Sequence, residues 1–381
     1  MSHQVGASAL DDNLPVDFSL YLDTVRFVAA ALVVLSHLLT SGLIVGSAAH
    51  FVPELGREAV IIFFVLSGFV IRFAVDHKHT SLQDYVVGRC ARIYSVAMPV
   101  LLAAFAVATL VSRFSDVAIS AEYQVFKAYI YIPFHLLFAG EFWNLSERPP
   151  WLAPYWSLSY EVWYYVLFGI AYYATGMKRT GLLASVLLLV GFKLWLLLPV
   201  WLSGAWLYGW SKSKVIPAAW AKAGLLLSLL ALYGFKTSGA DEYLRELGRA
   251  LWPFAALHLG SADRFLADYV VCVIVLINFA CARNLGFVLL RMLKRPVRAV
   301  SAYTFTLYLV HQLVLTAWKG FYPHDPASVA DIGFLLLAVG LATYVAGFVT
   351  ERRKKVFECL FHRLYERVGR LLTFGASLIQ R

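Results

Sequence analysis

Apolar runs too long for a soluble core recur along the whole chain, and they constrain its fold more than any other feature. Leu101–Val111 and Leu182–Val190 are two examples. They sit within segments of roughly 20 mostly apolar residues, the length a helix needs to cross a hydrocarbon core about 30 Å thick. A closed β-barrel is the other structure that can span a bilayer, but its strands alternate lipid-facing and lumen-facing residues and give no continuous runs. The expected fold class is all-α: a polytopic membrane bundle of about ten transmembrane helices with an interfacial C-terminal helix. Composition agrees, with 60% hydrophobic and 15% charged residues. A soluble domain carries about 25% charged residues, so most of this surface must face something other than water.

Ten spans are expected, at about 20–43, 57–75, 93–111, 156–175, 181–197, 198–211, 218–235, 265–282, 302–319 and 331–350. The sixth is short and starts beside Pro199, which marks a tilted or broken helix. Segment 122–139 is aromatic but interrupted by Lys127, Pro133 and His135. It is placed at the outer interface, with an eleven-span alternative left open. Of the 33 Lys and Arg residues, 21 then fall in inner segments, 9 in outer ones, and Arg26, Arg72 and Lys193 in spans. That bias puts both termini in the cytoplasm under the positive-inside rule and accounts for the net charge of +10 without nucleic acid. The organisation is a polar cytoplasmic N-terminus (1–17) without the basic n-region of a signal peptide, a membrane domain (18–350) and a basic amphipathic tail (351–381). The tail reads as an interfacial helix on an anionic leaflet. Cys90 and Cys359 lie in basic, cytoplasmic segments where thiols stay reduced, and Cys272 and Cys281 in one span, so the cysteines are uninformative about disulfides.

Ionisable groups inside a bilayer cost roughly 2.5–3.5 kcal/mol each on insertion scales, and the first span holds Asp23, Arg26 and His37. Eleven residues at 100° make three turns plus about 20°, so Arg26 and His37 share one face, about 16 Å apart along the axis. Asp23 precedes Arg26 by three residues and can pair with it. Arg26 alone reads equally as a side chain snorkelling to the inner interface. The stripe as a whole favours function, histidine being the natural general base near neutral pH. Lys193 reads as a snorkelling residue, and Ser67 with Gly68 as close helix packing. The aromatic outer segment Phe142–Trp156 suits an interfacial belt or the cover of a sugar-binding cleft. No metal-ligand spacing, Gly-rich phosphate loop or nucleic-acid motif appears, and no permanently bound cofactor is expected.

Five motifs in order resemble the acyltransferase type 3 family of membrane acyltransferases. They are Tyr21–Arg26 with His37, Gly56–Phe69, Arg89-Cys-Ala-Arg92-Ile-Tyr94, Trp156-Ser-Leu-Ser-Tyr-Glu161, and Ser301–His311. Two departures stand out. Ser95 follows Tyr94 where the family usually has a proline nearby, Pro99 coming later, and 236–264 matches nothing in the pattern.

The resemblance implies an enzyme of the cytoplasmic (inner) membrane. It would move an acyl group, most often acetyl, from acyl-CoA to a hydroxyl of an envelope or exported polysaccharide or lipid-linked glycan. A lipophilic small-molecule acceptor is the alternative, and a proton-coupled transporter or channel is the rival from another class. The implied roles are His37 as base, Glu161 orienting the imidazole or touching the acceptor, and Arg89 and Arg92 in the first cytoplasmic loop holding CoA phosphates. Arg26 would grip the pantetheine arm or the thioester. His311 reads equally as a packing histidine and as a catalytic one.

Overall fold

The computed structural model describes residues 14–78, 81–114 and 122–379; most of the expected polar N-terminus lies outside the described residues. All regular structure in them is helical. The elements are α1 (Val16–Thr40), α2 (Gly46–His50), α3 (Gly56–His77), α4 (Leu82–Phe114), α5 (Glu122–Phe126), α6 (Ala128–Leu136), α7 (Tyr155–Tyr173), α8 (Gly176–Val190) and α9 (Phe192–Ser213). There follow α10 (Ala218–Thr237), α11 (Ala240–Leu251), α12 (Phe265–Ala282), α13 (Val288–Met292), α14 (Lys294–Ser301), α15 (Thr304–Phe321), α16 (Val329–Val349) and α17 (Lys354–Ile379).

Six helices among the described residues are long and apolar enough to cross a membrane: α1, α3, α4, α10, α12 and α16 with its continuation into α17. The pair α14–α15, bent by 52°, makes a seventh if it counts as one span. Each of the ten expected segments contains a helix, but α7, α8 and α9 fall short of that standard. Helix α8 has 15 residues, about 22 Å, while α7 and α9 dilute their aliphatic content with Tyr, Trp and Ser. The break expected at Pro199 is displaced, because α9 runs unbroken through that proline. The chain bends instead at Gly191, whose φ is 83°. A Cβ there would also lie 2.8 Å from the Trp143 ring, so both conformation and space call for glycine. Segment 122–139 forms only α5 and α6. The longer, α6, has nine residues, about 14 Å, less than half the hydrocarbon thickness.

Helix α3 is the central post: 78% of its most apolar stretch is buried, against 17% for α10 at the periphery. It packs most intimately on α9. A Cβ on Gly68 would run into the Trp201 carbonyl oxygen, and one on Gly204 into the Val65 carbonyl oxygen. Small residues bring the two backbones together, the main source of attraction between helices where no hydrophobic effect operates. Helix α1 packs on α3 and α15, α10 on α12, and α16 on α15. The tail helix α17 packs along α4. There Gln83 meets His362 at 3.1 Å and the Tyr94 and Phe361 rings lie 5.5 Å apart.

Two expectations follow. Gly204→Ala should lower stability by roughly 1–3 kcal/mol, because the obstructing atom is backbone and cannot rotate away. Gly209→Ala, on the same helix with open space around it, should not, and melting curves of the detergent-purified variants compare them. The second concerns His135 in α6, which donates from Nε2 to Gln124 Oε1 at 2.9 Å. Burial pushes its imidazole down to about 4, against about 6.5 in the unfolded chain. Between those values the unfolded chain takes up a proton that the folded one refuses. The stabilisation is full above about pH 6.5 and is lost as pH falls towards 4. From pH 7 to 5 the melting temperature of wild type should drop more than that of His135→Gln.

Candidate active site

Five of the eight residues singled out from sequence line a single internal slot. Arg26 of α1, Ser67 of α3, Arg89 and Arg92 of α4 and Glu161 of α7 share its wall with Tyr165, Ser157 and Tyr308. The slot is narrow, with about 70 Å³ for water-sized groups to occupy. On α3 the lining runs from Val60 to Ile71, so it extends about 16 Å along that helix. The three arginines come from the N-terminal halves of α1 and α4 and gather at one end.

Arg26 is placed from within its own helix. Asp23 accepts from its Nη1 at 3.1 Å, the i,i+3 pairing expected from spacing. Asp23 is fully buried and also accepts from Arg298 Nη1, while Arg298 Nη2 donates to Ser19 Oγ at 2.8 Å. One carboxylate thus holds two guanidiniums and ties α1 to α14. Arg89 and Arg92, read as lying three apart in the first cytoplasmic loop at the start of a helix, share one face of α4, which begins earlier, at Leu82. Glu351, which begins the basic run read as tail, accepts from Thr306 N at 3.3 Å and Thr306 Oγ1 at 2.9 Å at the start of α15. Its charge acts on Arg26 and Arg92.

Glu161 occupies the middle of the slot. Its Oε1 accepts from Ser67 Oγ at 2.7 Å and from the Tyr165 hydroxyl. Ser67 Oγ accepts in turn from Trp201 Nε1 at 3.2 Å. Ser67 therefore does more than pack: Gly68 provides the close approach and Ser67 the hydroxyl. Neither carboxylate oxygen of Glu161 bonds His37.

His37 and His311 lie beyond the slot, on α1 and α15. Their ring centroids are 5.1 Å apart, and His311 is fully buried. His311 Nδ1 donates to Leu307 O at 2.9 Å, which leaves a lone pair on its Nε2. His37 Nδ1 lies 3.0 Å from Val33 O and 3.2 Å from that Nε2, so its N–H is shared between two acceptors. Both tautomers are fixed by backbone carbonyls one helical turn away, and His37 Nε2 carries the unprotonated lone pair. Between the pair and the slot stands Tyr308. Its hydroxyl meets Ser157 Oγ at 2.6 Å and donates to Pro154 O at 3.2 Å, and its ring lies 6.4 Å from His311. Lys193 does not snorkel. It is fully buried and paired with Glu141 at 3.0 Å, away from the slot.

Tyr165, Ser157, Tyr308, Arg298 and Glu351 belong to this constellation and were not picked out as site residues from the sequence. Tyr165 carried a usable signal, standing four residues after Glu161 on the same helical face; the others contribute through contacts between distant segments. The arrangement can bind an anion at the arginine end and take a proton at His37 Nε2. Removing Asp23 should be costly, since Arg26 and Arg298 would be left buried without it. Asp23→Ala is expected to lose about 3–5 kcal/mol, read as a lower melting temperature or failure to recover folded protein.

No curated protein and no solved structure matches the chain. A family model described as an acyltransferase domain matches residues 19–351, a range that takes in the whole slot and both histidines. The chain is an integral membrane protein that belongs to the acyltransferase type 3 family.

Proposed function

We propose that this acyltransferase moves an acyl group, acetyl in the first instance, from cytosolic acyl-CoA to a hydroxyl of an envelope or exported polysaccharide. The observation that carries the reading is the slot itself, with three arginines at one end, Glu161 in its middle and a histidine with a free Nε2 lone pair beyond the other. In this reading ten helices cross the inner membrane, α7, α8 and α9 among them, both termini are cytoplasmic and the arginine end faces the cytosol.

Arg89 and Arg92 take the phosphates of CoA as charge-assisted partners. The pantetheine arm lies along the slot, whose length of about 16 Å suits an extended chain, with Arg26 gripping the arm where it enters and the thioester end reaching towards Tyr308 and His37. The acceptor hydroxyl attacks the thioester carbonyl carbon while His37 Nε2 takes its proton. The carbonyl oxygen becomes an oxyanion stabilised by donors in the slot. The C–S bond then breaks, the ester C–O bond remains, and the imidazolium returns the proton to sulfur to release CoA as the thiol. His311 holds the His37 tautomer, and Glu161 acts on substrate rather than on the imidazole.

A second reading keeps the chemistry and exchanges the polysaccharide for a lipophilic metabolite. An apolar groove between α4 and α7 shares Arg89 and Tyr165 with the slot and offers such a molecule a sideways entrance. Membership of an acyltransferase family favours either over transport.

Purified protein, radiolabelled acetyl-CoA and the de-O-acetylated surface polysaccharide of the producing cells test the proposal. His37→Ala should cut transfer by about 10²–10⁴-fold with little change in KM for acetyl-CoA, and Arg89→Gln or Arg92→Gln should raise that KM. A wild-type protein that neither transfers nor hydrolyses acetyl from acetyl-CoA would overturn it.

A further inference from the structure

Tyr308 and Ser157 close the slot at the end away from the arginines, and a second hollow opens on their far side. Arg148, Trp151, Gln124, Gln312 and Thr316 are among the residues that line it. Gln312 follows His311 in the chain, and Ala153 on the opposite wall precedes Pro154, the carbonyl that Tyr308 bonds. The hollow is therefore bounded by the same stretch of α15 that carries His311 and by the segment whose Pro154 carbonyl Tyr308 bonds.

Three features give it a chemical character. Gln312 Oε1 is buried with no hydrogen-bond partner, and a buried acceptor left unmet is costly unless something donates to it. Arg148 stands exposed on the rim and forms no ion pair or hydrogen bond with a described residue. The opposite wall is a fixed polar unit, in which Glu147 accepts from the Tyr123 hydroxyl and from Gln124 Nε2 at 2.8 Å. Trp151 is held there with a φ of 57°, a conformation large side chains rarely adopt. Aromatic surface mixed with amide, carboxylate and guanidinium groups is the lining that a polyhydroxylated ring needs. The two grooves on the flanks of the bundle, by contrast, are lined almost wholly by aliphatic and aromatic side chains.

We propose that this hollow seats the sugar bearing the acceptor hydroxyl, with Gln312 Oε1 accepting from one of its hydroxyls and Arg148 donating to its oxygens. The inference rests on the acyltransferase reading and adds to it a separate acceptor site, reached from the face opposite the CoA entrance. Donor and acceptor meet at Tyr308 without sharing a channel.

The test blocks the hollow and follows the two substrates separately. Thr316→Cys, treated in its purified form with a small charged methanethiosulfonate, carries a bulky adduct in the hollow, which mass spectrometry verifies. Wild type, whose Cys359 is exposed, receives the same treatment as control. The adduct should reduce acetyl transfer to the de-O-acetylated polysaccharide more than tenfold while the Kd for radiolabelled CoA stays within twofold. Gln312→Leu should raise KM for the polysaccharide at least tenfold and leave KM for acetyl-CoA unchanged. Full transfer by the modified variant, or loss of CoA binding along with transfer, would overturn the assignment. Failure of untreated wild type to use acetyl-CoA at all would instead count against the acyltransferase reading.

Discussion

Most buried charges in this bundle are met by an opposite charge, because lipid cannot solvate them. The partner usually comes from another helix. Asp23 of α1 holds Arg298 of α14, Asp268 of α12 pairs with Arg57 of α3 at 2.9 Å, and Glu141 in the loop before α7 pairs with Lys193 of α9. Glu58 of α3 lies 3.6 Å from Lys236 of α10. These pairs act as staples that set which helix stands beside which. Breaking one strands a buried charge, so each is costly to lose even where its net stabilisation is modest. The same requirement holds Arg26 in place, since Asp23 divides its charge between two arginines.

Function uses what remains after the staples are satisfied. Arg92 forms no ion pair among the described residues, and with Arg26 and Arg89 it leaves one end of the slot positive. Glu161 is fixed through one oxygen by Ser67 and Tyr165, so the carboxylate is held in position rather than neutralised by a cation. At the other end the two histidines use backbone carbonyls to fix their protons, and no carboxylate is spent on them. A Tyr–Ser contact separates the positive slot from the polar hollow beyond it. In the function proposed above, the acyl-CoA and a bulky acceptor are served by one reaction centre from two faces.

Much of this was legible in the sequence. Helical geometry put Asp23, Arg26 and His37 on one stripe, and the structure keeps Asp23 within 3.1 Å of Arg26. The motifs also named Arg89, Arg92, Glu161 and Ser67, which come together around the slot. Less legible were the helix limits where composition is ambiguous. Pro199 looked like a break but is absorbed within α9, while Gly191, an unremarkable residue in the sequence, makes the turn because Trp143 packs where a side chain would go. Glu161 was read as orienting the His37 imidazole or touching the acceptor, and in the structure its bonds go to Ser67 and Tyr165 rather than to His37. Each has its own partners, and spacing along separate helices says nothing about which way either side chain faces across them.

The sequence by itself determined the class of molecule, because the length and continuity of apolar runs admit only spanning helices, and it determined relations within a helix, because 3.6 residues per turn is a local rule. Only the tertiary structure decided the partners. His37 meets His311 across 274 residues of chain, Arg298 reaches Asp23 across 275, and Ser67 finds Glu161 across 94. A helix that is apolar on every side carries no stripe to say which face turns inward. That choice fell to backbone approach at glycines such as Gly68 and Gly204, and to the pairing of charges that lipid cannot solvate.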